Sequence, residues 1–292
     1  MFAKAYAMAS QYTQPLIIST RLFDKTVECA LGSFVIINSE GWIATAAHVF
    51  QAGTTFQQNA PEIEAYKQQI SGIQQDNKLN DRQKKKAIAK TKVNPKWVTN
   101  YSLWRGRDDF RIEDVKFLPE ADLAIGRLVP FDPNYISEYP TLKNPLNLLP
   151  GTSLCRLGFP FHNVKSTFNE NTGGFLLDNG VLPVPRFPIE GIYTRNLMVK
   201  PSANGNYNIE FLETSSPGLR GQSGGAIFDV NGTLWSIQSS TQHLYLGFNP
   251  KIQTNGKEIE EHQFLNVGWG VHPETLVGFL KENGVNINLS ST

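Results

Sequence analysis

Residues 218–226 read Gly-Leu-Arg-Gly-Gln-Ser-Gly-Gly-Ala, and no other stretch of the chain says more about its architecture. Small residues let the backbone bend tightly and let a substrate approach it closely. Such a turn can present the hydroxyl of Ser223 outward and aim the backbone N–H groups of Gly221 and Ser223 at one point, as an oxyanion hole requires. A glycine turn that merely joins two strands is the alternative interpretation of this stretch alone.

Two further segments favour a catalytic interpretation. Residues 44–49 read Ala-Thr-Ala-Ala-His-Val after an apolar, strand-like run, and residues 121–125 read Ala-Asp-Leu-Ala-Ile. The chain order His48, Asp122, Ser223 is that of the chymotrypsin-type triad, and it differs from the orders of subtilisins and of α/β-hydrolases. A partly buried structural histidine and an aspartate that caps a strand are the ordinary alternatives for the first two residues.

The acidic member of this set has competitors nearby in the sequence. They are Asp108, Asp109 and Asp114. We prefer Asp122 because the apolar residues 123–125 continue it as a buried strand, and such a strand would hold a carboxylate rigidly beneath an imidazole.

With these segments the sequence resembles the trypsin-like (chymotrypsin-fold) serine proteases, and especially the protease domain of bacterial HtrA-like enzymes. The matching segments are 31–37 (Leu-Gly-Ser-Phe-Val-Ile-Ile), 41–49 (Gly-Trp-Ile-Ala-Thr-Ala-Ala-His-Val), 122–125, 221–226 and 267–271 (Val-Gly-Trp-Gly-Val). The resemblance implies an all-β fold of two six-stranded antiparallel β-barrels packed face to face, with the triad in the cleft between them.

The resemblance also implies the chemistry of the site. Ser223 would be the nucleophile of peptide-bond hydrolysis, and His48 would take its proton and later pass it to the leaving amine. Asp122 would hold the imidazole tautomer, and the N–H groups of Gly221 and Ser223 would form the oxyanion hole. No metal and no cofactor is expected.

The expected specificity pocket is less informative. In this fold its base lies about six residues before the serine, at Pro217, so nothing there would anchor a basic substrate side chain. The wall strand would supply Gln238, Ser239 and Ser240, which indicate a neutral pocket. Gln222 stands where animal enzymes have an aspartate that pairs with a newly cut N-terminus, so activation by that cleavage is not expected.

The domain prediction has two lobes. Residues 1–128 would form the barrel that carries His48 and Asp122, and the proline-rich segment 129–150 would link it to a second barrel over 151–292, which ends in a helix at 273–283. Helical spacing of apolar residues and an Asn-Asp cap at 80–81 predict a helical insertion at about 61–93. Only eight residues follow the C-terminal helix and its glycine, so no PDZ domain is expected.

The insertion carries the one strongly basic segment, residues 81–92, with six Lys or Arg against one acidic residue. A solvated helix face is preferred here over a docking site for a partner, an acidic substrate or nucleic acid. The whole chain has 292 residues, 40% of them hydrophobic and 18% charged, and a net charge of +1. This composition is that of an ordinary globular protein and provides no global attraction for nucleic acid.

Two cysteines, Cys29 and Cys155, are expected to be buried free thiols, with a bridge between them left open. No apolar leader and no membrane span is evident, which favours a cytoplasmic bacterial location. A cytoplasmic protease must be restrained, so we expect narrow specificity, a distorted resting oxyanion hole or a regulatory partner. A catalytically silent binding module on a protease fold, and an esterase or acyl transferase with the same triad, are the alternative functions.

Overall fold

The computed structural model describes residues 1–254 and 256–291, and strands dominate it. The helices are α1 (Ala3–Tyr12), α2 (Gln51–Gln75), α3 (Asp81–Lys90) and α4 (Pro273–Glu282). The first strands are β1 (Thr13–Leu22), β2 (Val27–Ile36), β3 (Trp42–Ala46), β4 (Val98–Trp104), β5 (Arg111–Leu118) and β6 (Leu123–Val129). The remaining strands are β7 (Thr141–Leu142), β8 (Ser153–Gly158), β9 (Ser166–Asn169), β10 (Gly174–Leu177), β11 (Phe187–Pro201), β12 (Asn208–Thr214), β13 (Ala226–Phe228), β14 (Leu234–Tyr245), β15 (Lys251–Thr254), β16 (Lys257–Glu260), β17 (Phe264–Val271) and β18 (Asn288–Leu289).

The first lobe is a six-stranded antiparallel sheet in the order β4-β1-β2-β3-β6-β5. Its central strands are rich in Ile, Val and Ala, which suit a pleated surface buried on both faces. Phe34, Ile36, Ile43 and Ile125 are fully buried in the main core. The six strands expected of the first barrel are therefore present as one antiparallel sheet.

The second lobe is a closed barrel with two short additions. Six antiparallel strands follow one another in the order β13-β8-β11-β12-β17-β14, and β14 also pairs with β13, which closes the ring. The two-residue strands β7 and β18 extend the sheet through parallel pairing. The chymotrypsin-like all-β fold of two six-stranded barrels is confirmed.

The helical insertion is longer than the sequence indicates. Helix α2 starts at Gln51, ten residues before the expected start, and it contains Gly53 and Pro61. These two residues disfavour helix in the sequence, but tertiary packing holds this part of the helix: Phe56 packs on Tyr101 of β4 with ring centroids 5.5 Å apart. The following helix α3 has the expected cap, a capping box between Asn80 and Gln83. No residue of α3 is buried, as a solvated face requires.

Three smaller features concern additional secondary structure, the cysteines and membrane spans. Helix α1 precedes the first strand, and the β9–β10 hairpin lies between β8 and β11. Both cysteines are free, but Cys29 is only half-buried, whereas Cys155 is buried. No helix within the described ranges is long and apolar enough to cross a membrane.

Helix α4 is amphipathic and buries the expected face, Leu276, Phe279 and Leu280. Its N-cap is His272, which is 2% exposed and whose Nδ1 accepts the backbone N–H of Glu274 at 3.2 Å. Within the described part of the chain, His272 Nε2 is buried without a hydrogen-bond partner. Burial lowers the pKa of His272 from 6.5 to about 4. The folded protein therefore keeps this imidazole neutral under conditions where the unfolded chain protonates it.

This difference predicts an acid-sensitive fold. Below pH 6.5 the unfolded chain gains a proton that the folded chain takes up only near pH 4, so the free energy of unfolding falls as the pH drops through that window. Between pH 7 and 5 the loss is about 2 kcal/mol. Burial, followed by the charge of Glu274, raises the pKa of the neighbouring Glu210, which works in the opposite direction and makes the net fall smaller.

His272→Asn tests this prediction, because asparagine keeps the N-cap and removes the titrating ring. Urea unfolding at pH 7 and pH 5 should show a smaller fall for the variant than for the wild type. His243→Asn, at an exposed position of β14, is the matched control and should behave as the wild type does. Equal pH dependence of the wild type and His272→Asn would show that this histidine does not control acid stability.

Candidate active site

His48 and Asp122 are brought together by the paired ends of two strands. Strand β3 runs into a single 3-10 turn, Ala47–Phe50, that carries His48, and Asp122 immediately precedes β6. The two strands are antiparallel neighbours with Ala46 opposite Leu123, and the Ala47 N–H donates to the Asp122 carbonyl at 2.8 Å. The register of β3 against β6 thus fixes the separation of the two side chains.

Asp122 uses both carboxylate oxygens. Oδ1 accepts the backbone N–H of His48 at 2.9 Å, and Oδ2 lies 2.8 Å from His48 Nδ1. Oδ2 also accepts the hydroxyl of Ser239 at 2.7 Å. Burial raises the pKa of this carboxyl, but the hydrogen bonds from His48 and Ser239 more than offset it and hold the pKa below its usual range. The side chain is 23% exposed and that of His48 is 49% exposed, so the histidine faces the solvent side of the pair.

Ser223 lies in a tight turn that the first lobe clamps. The Gln222 N–H closes the turn on the Leu219 carbonyl at 2.9 Å, and Gly221 has φ +96°, which glycine tolerates best. Ser33 of β2 donates its N–H to the Ser223 carbonyl at 2.8 Å and its hydroxyl to the Gly221 carbonyl at 3.0 Å. A strand of one lobe therefore fixes the turn that belongs to the other.

Two backbone donors of the turn are unpaired among the described residues. The carbonyl of Gly221 accepts from both Ser33 and Phe159. Within the described residues, the N–H groups of Gly221 and Ser223 have no hydrogen-bond acceptor in the protein. Two unpaired N–H groups flanking Gln222 are what an oxyanion hole needs.

The structure pairs His48 with Asp122, and strand β14 connects this pair to the Ser223 turn. Gln238 donates its N–H to Gly225 and accepts that of Gly224, and the next residue, Ser239, contacts Asp122. Strand β14 therefore passes the Ser223 turn and the Asp122–His48 pair in succession. Among the described residues, however, no hydrogen bond joins His48 Nε2 to the Ser223 hydroxyl. Catalytic hydrogen bonds are often long in a protein without substrate and shorten when substrate binds.

The other expected site residues lie along the same two segments. The Pro217 carbonyl accepts from Arg156 Nη1 at 2.8 Å, and the Gln238 amide oxygen accepts from Arg156 Nε. Gln238 Nε2 donates to the Ser240 carbonyl at 2.9 Å. The side chain of Ser239, assigned from the sequence to the substrate pocket, points to Asp122.

Arg156 is the residue that the sequence reasoning missed. It stands in the run Ser153–Gly158 between apolar residues, where an arginine in a strand normally points outward. It is instead 2% exposed and among the largest fully buried side chains. An arginine flanked by apolar strand residues was the signal in the sequence that could have identified it.

A large cleft adjoins the Ser223 turn. A cavity of about 840 Å³ is bordered by Leu219, Arg220 and Gly221 of the turn and by Phe159 and Leu31, among other residues. Such a volume suits several residues of a peptide.

Two further observations concern activation and metals. The side chain of Gln222 is buried and hydrogen-bonded to backbone only, to the Leu219 N–H and the Phe187 carbonyl, so no ion pair forms at this position. Glu210, His272 and Glu274 bring possible metal-ligand atoms within 4.8 Å of one another. His272 Nδ1 is already used as the cap of α4, so these residues are explained without an ion.

The sequence matches a known protein family. The model of the trypsin-like peptidase domain family matches residues 32–237. No curated protein matches the sequence.

Several solved structures are similar to the chain in fold. Two structures of the HtrA-type protease AlgW with a tripeptide superpose with TM-scores of 0.49 and 0.47 at 16% and 17% identity, over 97% and 98% of this chain. The chain covers only 63% and 65% of those AlgW chains. The structure of an inactive mutant of Rv3671c from M. tuberculosis H37Rv gives a TM-score of 0.46 at 12% identity, over 96% of this chain and 90% of that one.

Proposed function

Because the chain belongs to the trypsin-like peptidase family, a family of serine endopeptidases, we propose that it hydrolyses peptide bonds with His48, Asp122 and Ser223 as its triad. The substrate is a protein or peptide that lies across the cleft beside residues 219–221. The observation that carries this proposal is the Asp122–His48 pair next to a glycine turn with two unpaired N–H groups.

The proposed mechanism follows from these contacts. Ser223 Oγ attacks the substrate carbonyl carbon while His48 Nε2 takes the hydroxyl proton, and Asp122 holds the other ring proton on Nδ1. The N–H groups of Gly221 and Ser223 bind the oxyanion. Collapse breaks the C–N bond, the amine leaves with the proton from His48, and an acyl group remains on Ser223. Water then attacks the ester with His48 again as the base, which releases the acid.

Labelling with a fluorophosphonate probe tests the triad. The wild type should react, whereas Ser223→Ala and His48→Ala should not, because the first lacks the nucleophile and the second the base. Ser71→Ala, on helix α2, is the matched serine control and should label like the wild type. Equal labelling of Ser223→Ala would contradict the assignment of the nucleophile.

We further propose that the protein is a stand-alone enzyme whose activity on general protein substrates is restrained. Rapid hydrolysis of unfolded casein by the purified protein would contradict this restraint. Hydrolysis of small esters but not of any peptide would favour the esterase or acyl transferase. A folded chain that does not label, even with lysate of its host, would favour the silent binding module. The cytoplasmic bacterial location stays a prediction from the sequence.

A further inference from the structure

Arg156 is a buried cation without an anionic partner. Nε donates to the Gln238 amide oxygen, Nη1 to the carbonyls of Ser216 and Pro217 at 3.2 and 2.8 Å, and Nη2 to the Thr214 hydroxyl. Every one of these acceptors is neutral. Among the described residues, no carboxylate forms an ion pair with this guanidinium. Buried charges are normally paired, since removing an ion from water costs several kcal/mol.

The guanidinium binds Pro217, the residue at which the sequence resemblance implies the base of the substrate pocket. It binds the carbonyls of 216 and 217, which precede the Ser223 turn, and the side chain of Gln238, which precedes the Asp122 contact on β14. The guanidinium also lies against Gly268 of β17, where a Cβ would collide with Nη2. The three segments 214–218, 238–241 and 267–269 therefore enclose the charge.

From this arrangement we propose that Arg156 makes the pocket selective for an acidic side chain, so that the enzyme cleaves after aspartate or glutamate. This inference rests on the proposed endopeptidase function and names its substrate class. The sequence predicted a neutral pocket from Pro217 and residues 238–240. The proposed pocket is positively charged instead, because Arg156 enters it from β8.

Two donors of this cluster each have a hydrogen that the hydrogen bonds of the described residues do not use, and these could bind a carboxylate. Nη2 carries two hydrogens, and its hydrogen bond to Thr214 uses one. Gln238 Nε2 carries two, and its hydrogen bond to the Ser240 carbonyl uses one. Burial lowers the pKa of Arg156 to about 10, so the guanidinium remains charged at neutral pH. A carboxylate would supply the missing anion, whereas a neutral side chain would leave the charge uncompensated and a basic one would add repulsion.

Entry to the pocket requires its walls to separate, because the Gln238 amide lies against Gly218, where a Cβ would collide with Nε2. The Thr241 hydroxyl donates to the Gly218 carbonyl at 2.6 Å and so joins the two walls in the protein without substrate. An entering side chain displaces this hydroxyl, which can then turn to the substrate or to water. The closed walls add discrimination, because only a side chain that gains from the buried charge offsets the loss of this hydrogen bond.

The test is a set of peptide 4-nitroanilides that differ only in the residue before the scissile bond. The residues are Glu, Gln, Asp, Asn, Ala and Lys, and kcat/KM is measured for each with the wild type. We expect the acids to exceed their isosteric amides about 10- to 100-fold, as for a hydrogen bond to a charged group, and lysine to be the poorest. Equal rates for each acid and its amide, in a protein that labels at Ser223, overturn the acidic preference and leave the proposed function intact.

Substitutions of Arg156 test whether this residue causes the preference for acidic side chains. Arg156→Gln should reduce the Glu/Gln ratio to about one, whereas Arg156→Lys, which keeps the charge but loses the fork of N–H donors, should give a ratio above one and below that of the wild type. Arg82→Gln makes the same change on the exposed helix α3 and should keep the wild-type ratio. A preserved Glu/Gln ratio in Arg156→Gln overturns the role of this residue. If Arg156→Gln does not fold, the wild-type series and Arg156→Lys decide the question. A protein that neither labels nor cleaves any substrate overturns the proposed function, and this inference with it.

Discussion

Asp122→Asn should lower kcat by about 10⁴-fold while leaving the fold intact. The amide oxygen can still accept the His48 backbone N–H, but an amide nitrogen facing His48 Nδ1 turns that ring nitrogen into an acceptor. The ring proton then sits on Nε2, which can no longer take the proton of Ser223. The substitution is mild for the backbone, because Asp122 has φ 50° and ψ 39°, a left-handed conformation that asparagine adopts readily. Steady-state hydrolysis of the best peptide substrate measures the loss.

The chain offers a matched control for this prediction. Asp114 also has a positive φ, 53°, and is paired with Arg127 on the exposed side of β5 at 3.0 Å. Asp114→Asn makes the same chemical change in the same backbone conformation away from the site, and it should leave kcat within about twofold. Asp122→Asn with more than a tenth of the wild-type kcat would mean that another group orients His48.

Gly224→Ala should destabilise the protein by more than about 4 kcal/mol. Gly224 has φ +82°, and a Cβ there would overlap the Ser33 carbonyl and the Thr45 hydroxyl. The Thr45 hydroxyl itself donates to the Ser33 carbonyl at 2.7 Å, so these atoms belong to the rigid centre of the first sheet. They cannot move without separating the two lobes at the nucleophile. Urea unfolding of the wild type and the variant measures the difference in the free energy of unfolding.

Gly205→Ala separates the backbone cost from the collision. Gly205 also has a positive φ, +72°, but a Cβ there meets open space. Its replacement should therefore cost only about 1–2 kcal/mol, the ordinary penalty of the left-handed region. Similar losses for both variants would show that the contact between the Ser223 turn and β2 is loose.

The sequence predicted the features that short segments determine. Apolar runs indicate the strands, the Asn80 cap indicates helix α3, and the order His48, Asp122, Ser223 indicates the fold and the candidate triad. Each strand, cap and motif lies within about ten consecutive residues, and the order of the three motifs is a property of the chain itself, so these signals need no knowledge of tertiary contacts. The first part of α2 escaped prediction because Gly53 and Pro61 disfavour helix locally, and only packing on β4 overrides them.

Strand pairing decided the side-chain contacts of the candidate site, because a strand residue contacts residues from distant parts of the chain. Arg156 meets Ser216 and Gln238, which are 60 and 82 positions away, and Ser239 meets Asp122, 117 positions away. Whether a side chain faces a core, a pocket or solvent depends on the register of β8 and β14 in the closed barrel, and a shift of one residue would reverse it. By itself the sequence determined which residues could form the active site. Only the tertiary structure showed that Arg156 is buried without an ion pair among the described residues.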